Sequence, residues 1–212
     1  MIQVTSHSRN NRFTTAVHGA KLIRHAFEPY LKAFSDPDIS QRLIKVLMRV
    51  LNSGSSNSSD PHLMDGDLSH LKWFSFNKKA LFYRTFGGSC DIWINREAGE
   101  VNFDVFGLNP GISICNMKSA THFKMICAIA ELDFENQLFN TVDLSGNLTR
   151  TDFTEELPVF RRVEKMKTAN GLPLMAIVGV QFFYKHFETA YPVMNTTKTP
   201  LEIVWIDYKR SN

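Results

Sequence analysis

This sequence has no long apolar run and no secretion signal. No stretch approaches the ~20 apolar residues that span a membrane, and residues 1–11 are mainly polar, without the apolar core that a secretion signal needs. We therefore expect a soluble, cytoplasmic protein with no membrane contact. Export by a signal-independent route would leave the same sequence, so that alternative stays open.

The sequence also has no large excess of charge of either sign. The 24 basic and 21 acidic residues give a formal net charge of +3, whereas proteins that bind nucleic acid usually concentrate basic residues on one face. No nucleic-acid partner is predicted.

Cys90, Cys115 and Cys127 leave one thiol unpaired in any pairing, and none stands in a Cys-x-x-Cys pair. The cysteines therefore suggest neither a disulfide framework nor a thiolate metal site, and buried thiols in a reducing compartment are the simpler interpretation.

Catalytic signatures are missing as well. Residues 87–90 are Gly-Gly-Ser-Cys, but the serine of a nucleophile elbow needs a second glycine two places after it, where Asp91 stands. His122 precedes an apolar strand, and a lone strand histidine is more often structural than catalytic. We predict no catalytic residues and no cofactor, and we favour a non-enzymatic protein.

One polar cluster has residue types that bind metal ions. Residues 60–70 include His62, Asp65, Asp67 and His70. Their spacing fits neither a calcium loop nor a known zinc pattern. A turn in which Asp65 and Asp67 cap nearby amides is the stronger interpretation, and no metal site is predicted.

The first part of the chain has the pattern of amphipathic helices. Residues 13–34 repeat apolar side chains at three-and-four spacing, with a break expected near Glu28 because Pro29 removes a backbone hydrogen bond. A second helix is predicted to begin at Asp36-Pro37-Asp38, where Asp36 can cap free amides, and to run to about residue 51. The Ser-rich residues 52–60 are expected to form a flexible linker.

The rest of the chain has the pattern of short antiparallel strands. The central strand is predicted at residues 120–135, where residues 125–130 are apolar without a break, so both faces should be covered there. One face should emerge into water near Asp133. Residues 174–184 have the same character and should lie beside this strand or opposite it. Further strands are predicted at residues 73–76, 81–86, 91–94, 100–105, 138–144, near 159, 190–194 and 201–206.

Two turns are predicted from their residue types. Gly99 should supply the positive φ of a hairpin between residues 91–94 and 100–105. Asn109-Pro110-Gly111 should form a type II turn.

Together these elements predict the fold class α+β, with two N-terminal helices packed on an antiparallel β-sandwich-like sheet. We predict two units. Residues 1–60 form a helical N-terminal segment with a flexible Ser-rich linker, and residues 61–212 form an antiparallel β domain.

Several short segments follow one another in a distinctive order. They are Ala20-Lys21-Leu22-Ile23-Arg24, Arg42-Leu43, Asp65-Gly66-Asp67-Leu68, Phe74-Ser75-Phe76-Asn77, Ala120-Thr121-His122-Phe123-Lys124, Asp133-Phe134-Glu135-Asn136 and Gly179-Val180-Gln181-Phe182-Phe183. In this collinear order, over about residues 13–206, the chain resembles a group of uncharacterised proteins from Bacteroidetes. That resemblance implies no activity.

Aromatic residues give the remaining indication of function. Trp93 alternates with Ile92 and Ile94 and should face outward together with Asp91 and Asn95. Trp205 lies in a second candidate surface, residues 201–206, which has one charge and no internal proline. That segment is either a covered strand or an edge that can pair with another chain.

These surfaces support two functional hypotheses. The first is a non-enzymatic structural or interaction protein that acts through self-assembly or through a protein partner. The alternative is a carbohydrate-binding or carbohydrate-acting β-sandwich module that uses Trp93 and its polar neighbours. An assembly face needs a contiguous apolar patch, whereas a glycan platform needs rings beside polar groups in a groove.

Overall fold

Three layers make up this protein: a helical layer, a six-stranded antiparallel sheet and a three-stranded antiparallel sheet. The large sheet lies in the middle, with the helices on one face and the small sheet on the other. This confirms the α+β class with helices packed on a sandwich of sheets. The computed structural model describes residues 4–34, 36–54, 60–114, 120–168, 171–193 and 197–208.

The helical layer contains α1 (Val4–Ala26), α2 (Glu28–Leu31) followed by a 3-10 turn (Lys32–Phe34), and α3 (Ile39–Ser53). The predicted break near Glu28 is confirmed, because α1 ends at Ala26 and α2 begins at Glu28. In contrast, α1 begins at Val4 rather than at Phe13, and α3 begins at Ile39 rather than at Pro37. Residues 55–59 of the predicted linker lie outside the described residues.

The strands are β1 (Ser89–Asn95), β2 (Glu100–Phe106), β3 (His122–Asp133), β4 (Leu138–Asp143), β5 (Thr149–Arg150), β6 (Phe160–Lys165), β7 (Leu174–His186), β8 (Thr189–Pro192) and β9 (Leu201–Asp207). The small sheet has the order β1-β2-β6. The large sheet has the order β4-β3-β7-β8, with β5 also paired to β3 and β9 also paired to β7. The predicted hairpin is therefore confirmed, and Gly99 has φ +61° in its turn.

The two faces of β3 explain its unbroken apolar run. Alternate residues face the helices or the small sheet, so both sets are buried. The helix–sheet cluster takes Ile126, Ala128, Ala130 and Leu132 from β3. The sheet–sheet cluster takes Phe123, Met125, Cys127 and Ile129. The predicted emergence into water occurs at Asp133, which is half-buried, while Glu131 is still buried.

The helices and the large sheet share one cluster. Buried side chains of α1 and α3, such as Ile23 and Leu47, pack with Ile177 of β7 and Ile203 of β9. The division of the chain near residue 60 stays a prediction, but its two parts bury a common apolar surface. No helix in the described ranges is long and apolar enough to cross a membrane.

Two predicted strands and one predicted turn are wrong. Residues 73–76 form a single bridge with β9 rather than a strand, because Trp73 has φ 67°. Residues 81–86 contain one helical turn, α4 (Phe82–Thr85), which stacks the rings of Phe82 and Phe86 with centroids 5.1 Å apart. A short apolar run does not distinguish a buried helical turn from a strand.

The predicted type II turn is replaced by the helical turn α5 (Pro110–Ser113). Proline suits the first position of a helix as well as a turn. Gly111 has no positive φ, and its amide donates to the Phe153 carbonyl at 2.8 Å.

Candidate functional site

The outer face of the small sheet presents Trp93 as predicted. Ile92 and Ile94 pack against the sheet–sheet cluster, so alternation along β1 turns Asp91, Trp93 and Asn95 outward. The Trp93 side chain is 55 % exposed. Asn95 accepts a hydrogen bond from the Ala98 amide at 3.0 Å and so also stabilises the hairpin turn.

Rows of side chains across the three strands define what surrounds Trp93. Asn102 of β2 lies opposite Trp93, and Val163 of β6 lies opposite Asn102. Phe106, the other exposed ring on this face, lies two rows away. The intervening row contains Asp91, so the two rings do not form a continuous platform.

Ion pairs occupy most of the charged groups on this face. Arg161 donates to Asp104 through Nε at 2.9 Å and Nη2 at 2.7 Å, and this hydrogen bonding holds the pKa of Asp104 below its usual value. Lys165 Nζ lies 2.6 Å from Glu100 Oε1. The Asp91 carboxylate makes no hydrogen bond or ion pair with any residue in the described ranges. The face thus offers one exposed indole ring beside one unpaired carboxylate.

Trp205 lies elsewhere, half-buried against the sheet–sheet cluster. The outer edge of β9 is covered by the segment 73–76, through a bridge between Ser75 and Glu202. The alternative of an exposed edge is therefore wrong for residues 201–203. A binding role for Trp205 stays a prediction.

A second surface is the hairpin of β7 and β8, of which the sequence indicates only Tyr184, as a ring that could face outward. β3 begins at His122, opposite Phe183, so residues 184–191 extend past it. Tyr184 and Tyr191 lie directly opposite each other at this extension, and both are about half exposed.

Aromatic contacts continue to the tip of this hairpin. The Tyr184 and His186 rings are stacked, with centroids 6.4 Å apart and an interplanar angle of 12°. The His186 and Phe187 rings meet edge to face at 4.5 Å. We call Tyr184, His186, Phe187 and Tyr191 the aromatic hairpin cluster.

Phe187 combines two unfavourable features. Its backbone has φ 52°, in the left-handed region, and its side chain is 85 % exposed. Such a backbone conformation costs a non-glycine residue roughly 1–3 kcal/mol. Glycine would suit the turn better, and a polar residue would put no ring in water. Trp73 and Gln137 also have positive φ, so the exposed ring together with the strain, rather than the strain alone, makes this turn a candidate site.

Two of the groups with catalytic or metal-binding chemistry, Asp67 and His122, make local contacts with neighbouring residues. Asp67 accepts a hydrogen bond from the Ser69 amide at 3.0 Å, which confirms the capping interpretation for that aspartate. In the described ranges, no group of three or more His, Cys, Asp and Glu side chains is placed to hold a metal ion. His122 Nδ1 lies 2.9 Å from Thr121 Oγ1. The pKa of His122 is lowered, mainly by burial and in addition by the positive charges of Lys185 and Arg150.

The thiols are not activated. Burial raises the pKa of Cys90 to about 11 and the pKa of Cys127 well above its ordinary value. Both therefore stay protonated near neutral pH and are poor nucleophiles. Cys115 lies outside the described residues.

No protein-family model, curated protein or solved structure matches this chain. The resemblance to the Bacteroidetes group stays a prediction, and function has to be inferred from the surfaces described above.

Proposed function

We propose that this protein is a non-enzymatic interaction protein that associates with a second copy of itself through the aromatic hairpin cluster. The observation that carries this proposal is Phe187, an exposed ring held at the tip of a protruding hairpin by strained backbone. Within the chain its ring meets the His186 ring edge to face, but most of it stays exposed to water, and large rings give contact area at a small entropy cost.

A two-fold contact brings the same surface of both copies together. Rings on one copy can pack against the same rings on the other. Lys185 and Glu188 flank the tip, with 3.8 Å between their charged groups, and the Glu188 side chain is almost fully exposed. In a symmetric contact each of these charges can meet the opposite charge of the second copy.

Side chains, rather than the edge of the sheet, supply this contact. The Val193 amide donates a hydrogen bond to the Phe182 carbonyl. Because the backbone groups of a strand point to alternate sides, the backbone groups of Ala190 and Pro192 point away from β7, towards the free edge of the sheet. Pro192 has no N–H, which leaves the Ala190 amide as the outward donor of β8. Proline at an edge strand is a common way to prevent sheet extension.

Size exclusion with light scattering at micromolar concentration tests the proposal. We expect twice the 24.2 kDa chain mass for the wild type and a single chain mass for Phe187→Gly. The control is Leu138→Ser, which removes a 64 % exposed side chain from the β3–β4 turn region, at the opposite end of β3 from the hairpin. A wild type that runs as a single chain, or a Phe187→Gly variant that stays dimeric, would contradict the proposal.

Glycan binding at the outer face of the small sheet is the second candidate function. It is favoured by the exposed Trp93 ring beside the unpaired Asp91 carboxylate and the Asn102 amide. Titration with cellohexaose, followed by tryptophan fluorescence, should show saturable binding that Trp93→Ala removes. Trp73→Ala is the matched control, since Trp73 is 63 % exposed, close to the 55 % of Trp93, but lies on another segment. Equal binding by Trp93→Ala would contradict this candidate.

A further inference from the structure

A cavity of about 300 Å³ opens on the helix-facing side of the large sheet, where the helical layer ends. One wall is the end of α2 and the 3-10 turn after it. The floor is formed by β3 and β7, and Pro192 of β8 borders the far side. This volume is at the lower end of the range for small-molecule sites.

Two polar residues of the floor interrupt an otherwise apolar sheet face. Along β3 the helix-facing residues from Ile126 to Leu132 are buried and apolar, but the next one towards the strand start is Lys124. Lys124 lies directly opposite Gln181 of β7. The register therefore places an ammonium group and an amide side by side at the cavity, next to the apolar Ile126.

The charged residues that line the cavity are both basic. Lys32, an exposed residue, belongs to the helical wall, and the partly buried Lys124 belongs to the floor. Neither lysine side chain makes a hydrogen bond or an ion pair with any residue that the structure describes. Two cationic side chains without an ion-pair partner at one cavity favour an anionic ligand there.

Neither the Asp143 carboxylate nor the Tyr30 hydroxyl forms an ion pair with these two lysines. Tyr30 lines the cavity and its hydroxyl is hydrogen-bonded to Asp143, while burial and that carboxylate raise the pKa of Tyr30. Tyr30 is thus neutral at ordinary pH. Asp143 also accepts a hydrogen bond from the Ser145 amide at 2.9 Å, and it forms no ion pair with either lysine.

Other basic groups on the same sheet face are paired. Arg150 is bound to the Asp152 carboxylate through two nitrogens, and Lys185 lies 3.8 Å from Glu188. The unpaired positive charge is therefore at the cavity itself.

We propose that this cavity binds a small organic anion. Its carboxylate or phosphate group is held by Lys32, Lys124 and the Gln181 amide, and its apolar body lies against the accessible apolar residues of the lining, Pro29, Ala33 and Pro192. Charge-assisted hydrogen bonds from lysine fix the anionic group, and the apolar lining selects against inorganic ions of the same charge. This site is independent of the aromatic hairpin cluster.

Calorimetric titration of the full chain with three probes tests the proposal. Benzoate and phenyl phosphate present the two anionic groups on the same ring, and benzamide presents the ring without charge. We expect saturable binding of one anion per chain, weakened by added salt, and at least tenfold weaker binding of benzamide. Binding of only one anion would identify the anionic group that the site prefers.

Substitutions then locate the binding. Lys124→Gln and Lys32→Gln should each weaken anion binding at least fivefold without a change in thermal unfolding. Lys45→Gln, an equal loss of charge on the exposed side of α3, is the control and should change nothing. Absence of anion binding by the wild type, equal affinity for benzamide, or unchanged affinity in the Lys32→Gln, Lys124→Gln double variant would each overturn the proposal.

Discussion

Arg42 of α3 donates a hydrogen bond to Asp36 at 2.8 Å, and its other terminal nitrogen donates to the Ser75 carbonyl at 2.7 Å. Because Ser75 belongs to the segment that covers β9, this side chain joins the helical layer to the edge of the large sheet. Asp36 is buried and also accepts hydrogen bonds from the amides of Asp38 and Lys78.

We predict that Arg42→Met lowers the free energy of unfolding by about 2 kcal/mol or more, because the buried Asp36 carboxylate and the Ser75 carbonyl lose their donor. Urea denaturation measures this change. Arg49→Met, on an exposed side of the same helix, is the matched control. An equal effect of the two substitutions would contradict the role of Arg42.

The pH dependence of stability should report on Asp36. Burial alone would raise its pKa, but the amides of Asp38 and Lys78 and the Arg42 guanidinium lower it below the ordinary 3.8. A carboxylate with a lowered folded pKa stabilises above its unfolded pKa, and the contribution is lost as pH falls through the folded value. The stability difference between the wild type and Asp36→Asn should therefore be full at pH 7 and shrink only below 3.8. A constant difference down to the most acidic measurable pH would contradict it.

Gly99→Val should destabilise the small sheet by more than ~1 kcal/mol, because Gly99 has positive φ and an added Cβ would lie 3.2 Å from the Met166 carbonyl oxygen. Gly107→Val is the informative comparison. Gly107 has the same φ of +61° with nothing within 4 Å of an added Cβ. Thermal unfolding of both variants separates backbone strain from the contact, and an unchanged melting temperature for Gly99→Val would contradict its placement.

A chain that begins at residue 61 should be insoluble or molten. Removal of the helices uncovers the helix-facing side of β3, β7 and β9, where large residues such as Leu132, Met175 and Ile177 are fully buried. Exposure of each costs about 1.5–3 kcal/mol. Near-ultraviolet circular dichroism and solubility measure the outcome. A truncated chain that unfolds cooperatively would show that the β part folds alone.

The sequence predicts the elements that have strong periodicity. The apolar run at residues 120–135 identifies β3, and Pro29 identifies the break before α2, because both signals are local. Features that depend on register are not visible in the sequence. Between Ala176 and Ile177 of β7 the pairing with β9 shifts by one residue, because Val204 is an extra, unpaired residue of β9, and this turns Trp205 towards the sheet–sheet cluster.

Neither the aromatic hairpin cluster nor the cavity site is predicted from the sequence as a site, and the reasons are similar. The turn at Phe187 contains no glycine or asparagine, the usual indication of a tight hairpin. Lys124 and Gln181 are far apart in the chain, and only the β3–β7 register makes them neighbours. By contrast, the outward position of Trp93 is predicted correctly, because strand alternation alone decides on which face of the sheet a side chain lies.

The central claim is self-association through a strained, exposed Phe187. Thermal unfolding over a hundredfold range of protein concentration tests it most directly, because dimerisation makes the melting temperature depend on concentration. For the wild type we predict a melting temperature that rises with concentration. For Phe187→Gly we predict a constant melting temperature, no lower than that of the wild type at high dilution. A wild-type melting temperature that does not change with concentration, or a Phe187→Gly variant that melts below the wild type at high dilution, would contradict the claim.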